Sequence, residues 1–175
     1  MSLKDYKSKR NLSITPEPKP LSKAKKKSSP EKSIFVVQEH HASHLHWDFR
    51  LECKGVLLSW AIPKGPSLDP QDKRLAIHVE DHPLEYASFK GEIPKGQYGA
   101  GTVSTWDKGT YSALGAETKN DTEKNVIEGL QKGHISITLH GKRLKGDFDL
   151  IHLKNPEKDN LWILVKKKDQ YASQH

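Results

Sequence analysis

From Ser33 to Lys166 the chain is built of short runs in which apolar and polar residues alternate. Successive side chains of a strand point to opposite faces, so a period of two predicts strands with one buried face. The runs are Ile34–Glu39, Trp47–Glu52, Val56–Ile62, Leu75–Glu80, Thr102–Trp106, Thr110–Ala113, Ile135–His140, Gly146–Leu153 and Leu161–Lys166. Turn residues separate them. Pro63-Lys64-Gly65-Pro66 and Asp107-Lys108-Gly109 read as tight turns, and Gly91 to Gly101, with four glycines and Pro94, as a long loop. Helical spacing occurs in Thr122–Lys132, where Val126, Ile127 and Leu130 form a stripe, Asn120 with Glu123 suggests a capping box and Gly133 a stop. Leu3 to Arg10 has the makings of a second, short helix. Many short strands at this spacing predict a mainly β protein, a closed or nearly closed β-barrel, rather than an α/β sheet.

Charge changes the picture at one end. Residues 1–33 carry ten Lys and Arg against Asp5, Glu17 and Glu31, a net of +7, whereas the other 142 residues carry 19 basic and 19 acidic groups. The whole formal charge of +7 therefore belongs to an N-terminal arm with four prolines and the run Lys25-Lys26-Lys27. Such an arm suits a polyanion, because neutralised phosphates release counterions; a solubilising tail is the plainer alternative. The expected organisation is an irregular basic arm over 1–32, a barrel over 33–168 and a tail over 169–175. The single cysteine, Cys53, excludes an intramolecular disulfide and a cysteine-rich zinc module, and points to a reducing, cytoplasmic setting. No apolar run approaches the roughly 18 residues of a membrane span, and the N-terminus lacks a signal-peptide core.

Candidate chemistry concentrates in Gln38 to Arg50, QEHHASHLHWDFR. In the run from His46, alternation puts His46, Asp48 and Arg50 on one face and Trp47, Phe49 and Leu51 on the other. His40, His46 and Asp48 form the best metal-binding trio: imidazoles and a carboxylate without thiolates suit Mn²⁺, Zn²⁺ or Fe²⁺. For any histidine alone, an ordinary hydrogen bond is the competing reading. His41 and His44 fall outside the trio. Arg50 offers a fork that matches phosphate oxygens, or else a salt bridge to Glu80 or Asp48. A second strand repeats the pattern, with Arg74, Ala76, His78, Glu80 and His82 on one parity and Leu75, Ile77 and Val79 on the other. His82, before Pro83, is a candidate proton donor or charge stabiliser, and Tyr86 a phosphate contact or a half-buried barrel tyrosine. Trp47, Trp60, Trp106 and Trp162 read as core. The glycine-rich Gly96 to Gly101 lacks the strand-to-helix context of a nucleotide-binding loop. Two rival functions stand beside this reading, the first built from the same residue types. His46 and Asp48 with a distal histidine such as His152 would make the facial triad of a non-haem iron oxygenase, and the arm alone would suit a non-catalytic DNA-binding repair module.

Several long segments carry a family resemblance: His46 to Glu52 (HWDFRLE), Ser59 to Pro70 (SWAIPKGPSLDP), Lys73 to Ala76, His78 to Leu84 (HVEDHPL) and Ile93 to Gly99 (IPKGQYG). They closely resemble the 3′-phosphoesterase module of bacterial DNA ligase D, which also occurs as a freestanding protein. The likeness runs from Tyr6 to about Trp162. It implies a barrel of about eight strands and a Mn²⁺-dependent, monomeric enzyme that heals DNA or RNA-tipped DNA 3′ ends in non-homologous end joining. The family removes a terminal ribonucleoside and then hydrolyses the remaining 3′-phosphate to a 3′-hydroxyl. Carried over by position, the resemblance makes His40, His46 and Asp48 the metal ligands, and Arg50, His82 and Tyr86 the phosphate-contacting and catalytic set. Gln38, Lys64, Arg74 and Glu80 become supporting residues. In the arm, Arg10, Asn11 and Glu17 resemble a motif that assists ribonucleoside removal; Asn11 stands where the family carries aspartate, which removes a charge there. Trp47 replaces a tyrosine conservatively. The implied partners are a DNA ligase, a polymerase or primase, and Ku, in a nucleoid-associated cytoplasmic location. The length and the Met1 start suit a freestanding member.

Overall fold

The computed structural model describes residues 3–10, 17 and 32–173. Among these, nine strands follow a short helix α1 (Leu3–Ser8): β1 (Ser33–His41), β2 (Leu45–Cys53), β3 (Val56–Ile62), β4 (Arg74–Pro83), β5 (Gly91–Ile93), β6 (Gly101–Ala113), β7 (His134–His140), β8 (Lys145–His152) and β9 (Leu161–Lys166). Helix α2 (Lys119–Lys132) joins β6 to β7, and a 3₁₀ turn covers Leu84–Ser88. Eight strands close an antiparallel barrel in the order β1-β2-β3-β4-β9-β8-β7-β6, with β6 returning to β1. β5 is the extra strand. It pairs only with the first residues of β6, on the edge that β7 takes further along.

The alternating residues do what the pattern requires inside the ring. Phe35, Val37, Phe49, Leu51, Trp60, Ile62, Ile137, Phe148, Leu150 and Leu164 form one apolar interior. Trp60 and Trp162 belong to it, and Trp47 and Trp106 pack against it half-buried. Helix α2 brings Val126, Ile127 and Leu130 to the same cluster. It starts three residues before the expected Thr122. Its cap is Thr118, whose hydroxyl accepts the Asp121 N–H at 3.0 Å, so the Asn120–Glu123 box is replaced by a Thr118–Asp121 pair. Gly133 ends it as expected, at φ +87°.

Two irregularities depart from the strict alternation. The expected turn at Asp107-Lys108-Gly109 does not exist; β6 runs through it as one 13-residue strand. Val37 pairs with Asp107 and Gln38 with Thr105, so Trp106 is an extra, bulged residue. The buried Asp107 carboxylate accepts N–H groups from Lys142, Arg143 and Leu144 at 2.8–3.2 Å and so fastens the β7–β8 turn. In β4, Leu57 pairs with His82 but Ser59 with Val79, so two steps along β3 match three along β4. Cross-strand partners share a face. Ala76 and His78 therefore face the interior, His78 stacked 5.0 Å from Trp60, while Val79 and His82 face outward. The single polar face expected for Arg74 to His82 is thereby split.

The outer face of β1–β4 is also covered. Tyr6 of α1, Leu57, Tyr86, Phe89, Ile93 of β5 and Val103 form a second, smaller apolar cluster. Gln38, Asp48, Arg50, Ser59, Glu80 and His82 are buried on this side. The polar residues of the strands thus lie between barrel and cover.

Candidate active site

A cavity of about 290 Å³ opens on this outer face, lined by residues of the arm, of β1–β4 and of the loop after β5. Facing pairs in the β1–β2 hairpin bring one group of its lining together: His40 is opposite His46, and Gln38 opposite Asp48. One ligand atom from each of His40, His46 and Asp48 lies within 4.8 Å of the others, the one such group among the described residues. His40 Nε2 donates to the Gly99 carbonyl at 2.7 Å, and His46 Nδ1 to the His44 carbonyl at 3.1 Å. Carbonyls only accept, so these contacts fix the ring orientations. The remaining nitrogens, His40 Nδ1 and His46 Nε2, each face an Asp48 oxygen at 3.3 Å. Burial alone would raise the Asp48 carboxyl; the Arg50 charge and the two imidazoles outweigh it and hold it well below the usual carboxylate range. Burial works against a charge on His46, yet the Asp48 carboxylate raises its pKa. A proton on His46 and a metal ion would compete for the same lone pair. Two outward-braced imidazoles and an ionised carboxylate fit a divalent cation.

Arg50 is clamped on the same face. Its Nε donates to Gln38 Oε1 at 2.7 Å, one terminal nitrogen to Ser59 Oγ at 2.8 Å, and the other lies 3.5 Å from Asp48. Gln38 donates in turn to the carbonyls of Tyr86 and Phe89, tying the 3₁₀ turn to the strand. The Tyr86 ring lies against the Arg50 guanidinium at 4.7 Å.

The arm closes the other side. Arg10 donates to Glu17 at 2.7 Å and Glu80 at 3.1 Å, and a third nitrogen contacts His82 Nε2 at 3.2 Å. His82 Nδ1 donates to the Glu80 carbonyl at 2.9 Å, so Nε2 accepts from Arg10. Burial, then Arg50 and Arg10, push His82 well below its ordinary pKa, and the ring is neutral near pH 7. Tyr86, its pKa raised by burial, donates its hydroxyl to Glu17 at 2.8 Å. Glu80 is held ionised against its burial by its own backbone N–H, Lys9 and Arg10.

The cavity or its immediate supports therefore include His40, His46, Asp48, Arg50, His82, Tyr86, Arg10, Glu17, Gln38 and Glu80. Lys64 and Arg74 do not line it. Arg74 donates to the Lys64 carbonyl at 3.2 Å and to Asp72, beside the β3–β4 loop. Asn11 and the Lys25–Lys27 run lie outside the described residues. His152 belongs elsewhere: its ring is 5.1 Å from Trp162 and bonds the Asp159 carbonyl, at a separate cavity. The His46–Asp48–His152 triad is overturned, since opposition in the hairpin selects His40 instead. Sequence reasoning passed over Ser59, Tyr6, Tyr98 and Gly99. The available signals are that Ser59 is a lone polar residue inside the apolar strand VLLSWAI and Tyr6 a lone aromatic in a charged helix. Gly99, at φ +76°, left no signal that its carbonyl braces His40.

The family model described as the DNA ligase D 3′-phosphoesterase domain matches residues 38–152, which run from Gln38 in β1 through the end of β8 and include the trio, Arg50 and His82. The chain belongs to this family. It is 48% identical over 170 residues to the multifunctional non-homologous end joining protein LigD of Pseudomonas aeruginosa, covering 97% of this chain and 19% of that protein. It is 44% identical over 165 residues to the multifunctional non-homologous end joining DNA repair protein LigD of Mycobacterium tuberculosis, covering 94% and 20%. Against LigD of Mycolicibacterium smegmatis the figures are 44% over 174 residues, 96% and 21%. This phosphoesterase-family chain thus spans about a fifth of the length of these relatives. None of its described helices is long and apolar enough to cross a membrane.

Proposed function

We propose that the protein is a metal-dependent phosphoesterase that heals DNA 3′ ends for non-homologous end joining. It removes a terminal ribonucleoside and then the 3′-phosphate left behind, leaving a 3′-hydroxyl. The observation that carries this reading is the meeting, in one cavity, of three cation ligands within 4.8 Å with the fixed guanidiniums of Arg50 and Arg10. The names of the relatives supply the repair setting.

His40, His46 and Asp48 would hold Mn²⁺, which when bound supplies Lewis-acid polarisation of the phosphate ester. The other parts are the chain's own. Arg50, immobilised by Gln38 and Ser59, and Arg10, immobilised by Glu17 and Glu80, present positive charge that needs no reorganisation as charge spreads over phosphoryl oxygens. Neutral His82 orients Arg10; with a lone pair on Nε2 it takes up a proton before it can pass one to a leaving oxygen. Glu17, buried and bonded by both Arg10 and Tyr86, holds these two groups in position for the substrate's terminal ribose. The basic arm tracks the DNA backbone.

The test is a duplex primer ending in one ribonucleotide, incubated with Mn²⁺, with the 3′-phosphate intermediate and 3′-hydroxyl product resolved. EDTA should abolish both products and Mn²⁺ restore them. His46→Ala should melt as a folded protein and turn over at least about 10²-fold more slowly. Salt-sensitive DNA binding without hydrolysis would mean a non-catalytic module instead.

A further inference from the structure

Tyr98 is not used by the chemistry just described. It sits at the cavity mouth in the loop between β5 and β6, yet 47% of its surface is exposed. An exposed large aromatic is ordinary on its own. This one is held from two sides of the site. Its neighbour Gly99 braces the ligand His40 through a 2.7 Å contact. Its ring lies 5.1 Å from the Arg10 guanidinium and 5.0 Å from Lys9 Nζ, the arm cations that also grip Glu80. The ring therefore borders the part of the cavity lined by Arg10, one residue along the chain from the carbonyl that braces His40. Among the described residues the hydrophobic cover offers no other exposed aromatic there: Tyr6, Tyr86 and Phe89 are 0%, 2% and 9% exposed.

We infer that Tyr98 is a stacking platform for the base of the departing terminal nucleoside, and so a specificity-determining residue. This rests on the phosphoesterase reading above. A flat π-face accepts any of the four bases, which suits an enzyme that must clear ends of any sequence. Lys9 and Arg10 lie over the ring and hold it in place, so a base stacks on the surface they leave exposed. A ring that merely clamped the arm would need no exposed surface and would not distinguish a terminus with a base from one without.

Two duplex primers decide the matter, one ending in a ribonucleotide and one in an abasic ribose, each cleaved with Mn²⁺ by the wild type, Tyr98→Leu and Tyr98→Phe. The wild type should cleave the base-bearing end with kcat/KM about 10-fold higher. Tyr98→Leu should bring the two within about 2-fold of each other, with the change carried mainly by KM, and Tyr98→Phe should keep the preference. A 2-aminopurine ribonucleoside at the 3′ end should be quenched by the metal-free wild type and Tyr98→Phe, and not by Tyr98→Leu. Equal losses by Tyr98→Leu on both ends, or no loss, would overturn the stacking role while leaving the phosphoesterase reading intact. A wild type that cleaves neither end nor a 3′-phosphate would remove that reading itself.

Discussion

β2 carries two kinds of burial on alternate residues. Phe49 and Leu51 are 0% exposed inside the barrel, and Asp48 and Arg50 are 6% and 2% exposed on its outside. The inner pair is stabilised by removal of apolar surface from water, about 1.5–3 kcal/mol per side chain, and is indifferent to precise partners. The outer pair gains nothing from burial itself; it is held by named bonds to Gln38, Ser59, His40 and His46. Alternation therefore separates two jobs along one strand. The interior supplies rigidity, and the outer face uses it to hold charges that the cover shields from water, where their fields act at greater strength.

The comparison breaks most visibly in the interior. Phe148→Ala, on β8 and remote from the cavity, should cost about 4 kcal/mol in denaturant unfolding. Whatever fraction stays folded should keep the wild-type kcat, which a titration of active sites would show. A large kcat change would mean that the two faces are not separable. On the outer face the effect should invert. Arg50→Lys keeps the charge but cannot span Gln38, Ser59 and Asp48, and should slow turnover by about 10²-fold with a smaller change in stability.

The smallest effect is one of pH. His78 belongs to the interior side, and burial lowers its pKa from the ordinary imidazole value of about 6.5 to about 4. Between these values the unfolded chain binds a proton that the folded one refuses. Stability should be full above about pH 6.5 and decline as pH falls to about 4, by about 1–2 kcal/mol after allowing for partial exposure. Asp81, raised by burial to about 6, acts in the opposite sense over its own window. Urea unfolding at pH 7.5 and 4.5 of wild type and His78→Gln separates them: the variant should lose the His78 part of the decline.

The barrel was legible because period-two patterning is a local property that each strand states for itself. β3 and β9 match their expected limits, and the hairpin partners of β1 and β2 follow from a short turn. What stayed hidden is set by distant residues. Asp107 looks like a turn residue until Lys142 to Leu144 supply its partners. The β4 bulge, which turns His78 inward and leaves His82 in the site, is visible only against β3. The trio of His40, His46 and Asp48 was readable from composition and spacing. The bracing of its rings by Gly99 and His44 was not, because backbone carbonyls leave no mark in a sequence. The placing of Lys64 and Arg74 beside each other, away from the cavity lining, is likewise set by the path of the β3–β4 loop and not by local pattern.

The central claim is that the charged outer face is organised around a metal ion. Anomalous diffraction at the manganese edge from crystals soaked in Mn²⁺ tests it most directly. The account predicts a single strong peak bonded to His40 Nδ1, His46 Nε2 and an Asp48 oxygen, absent in His46→Ala crystals. A Mn²⁺-active protein with its peak elsewhere, or with none between these groups, would contradict it.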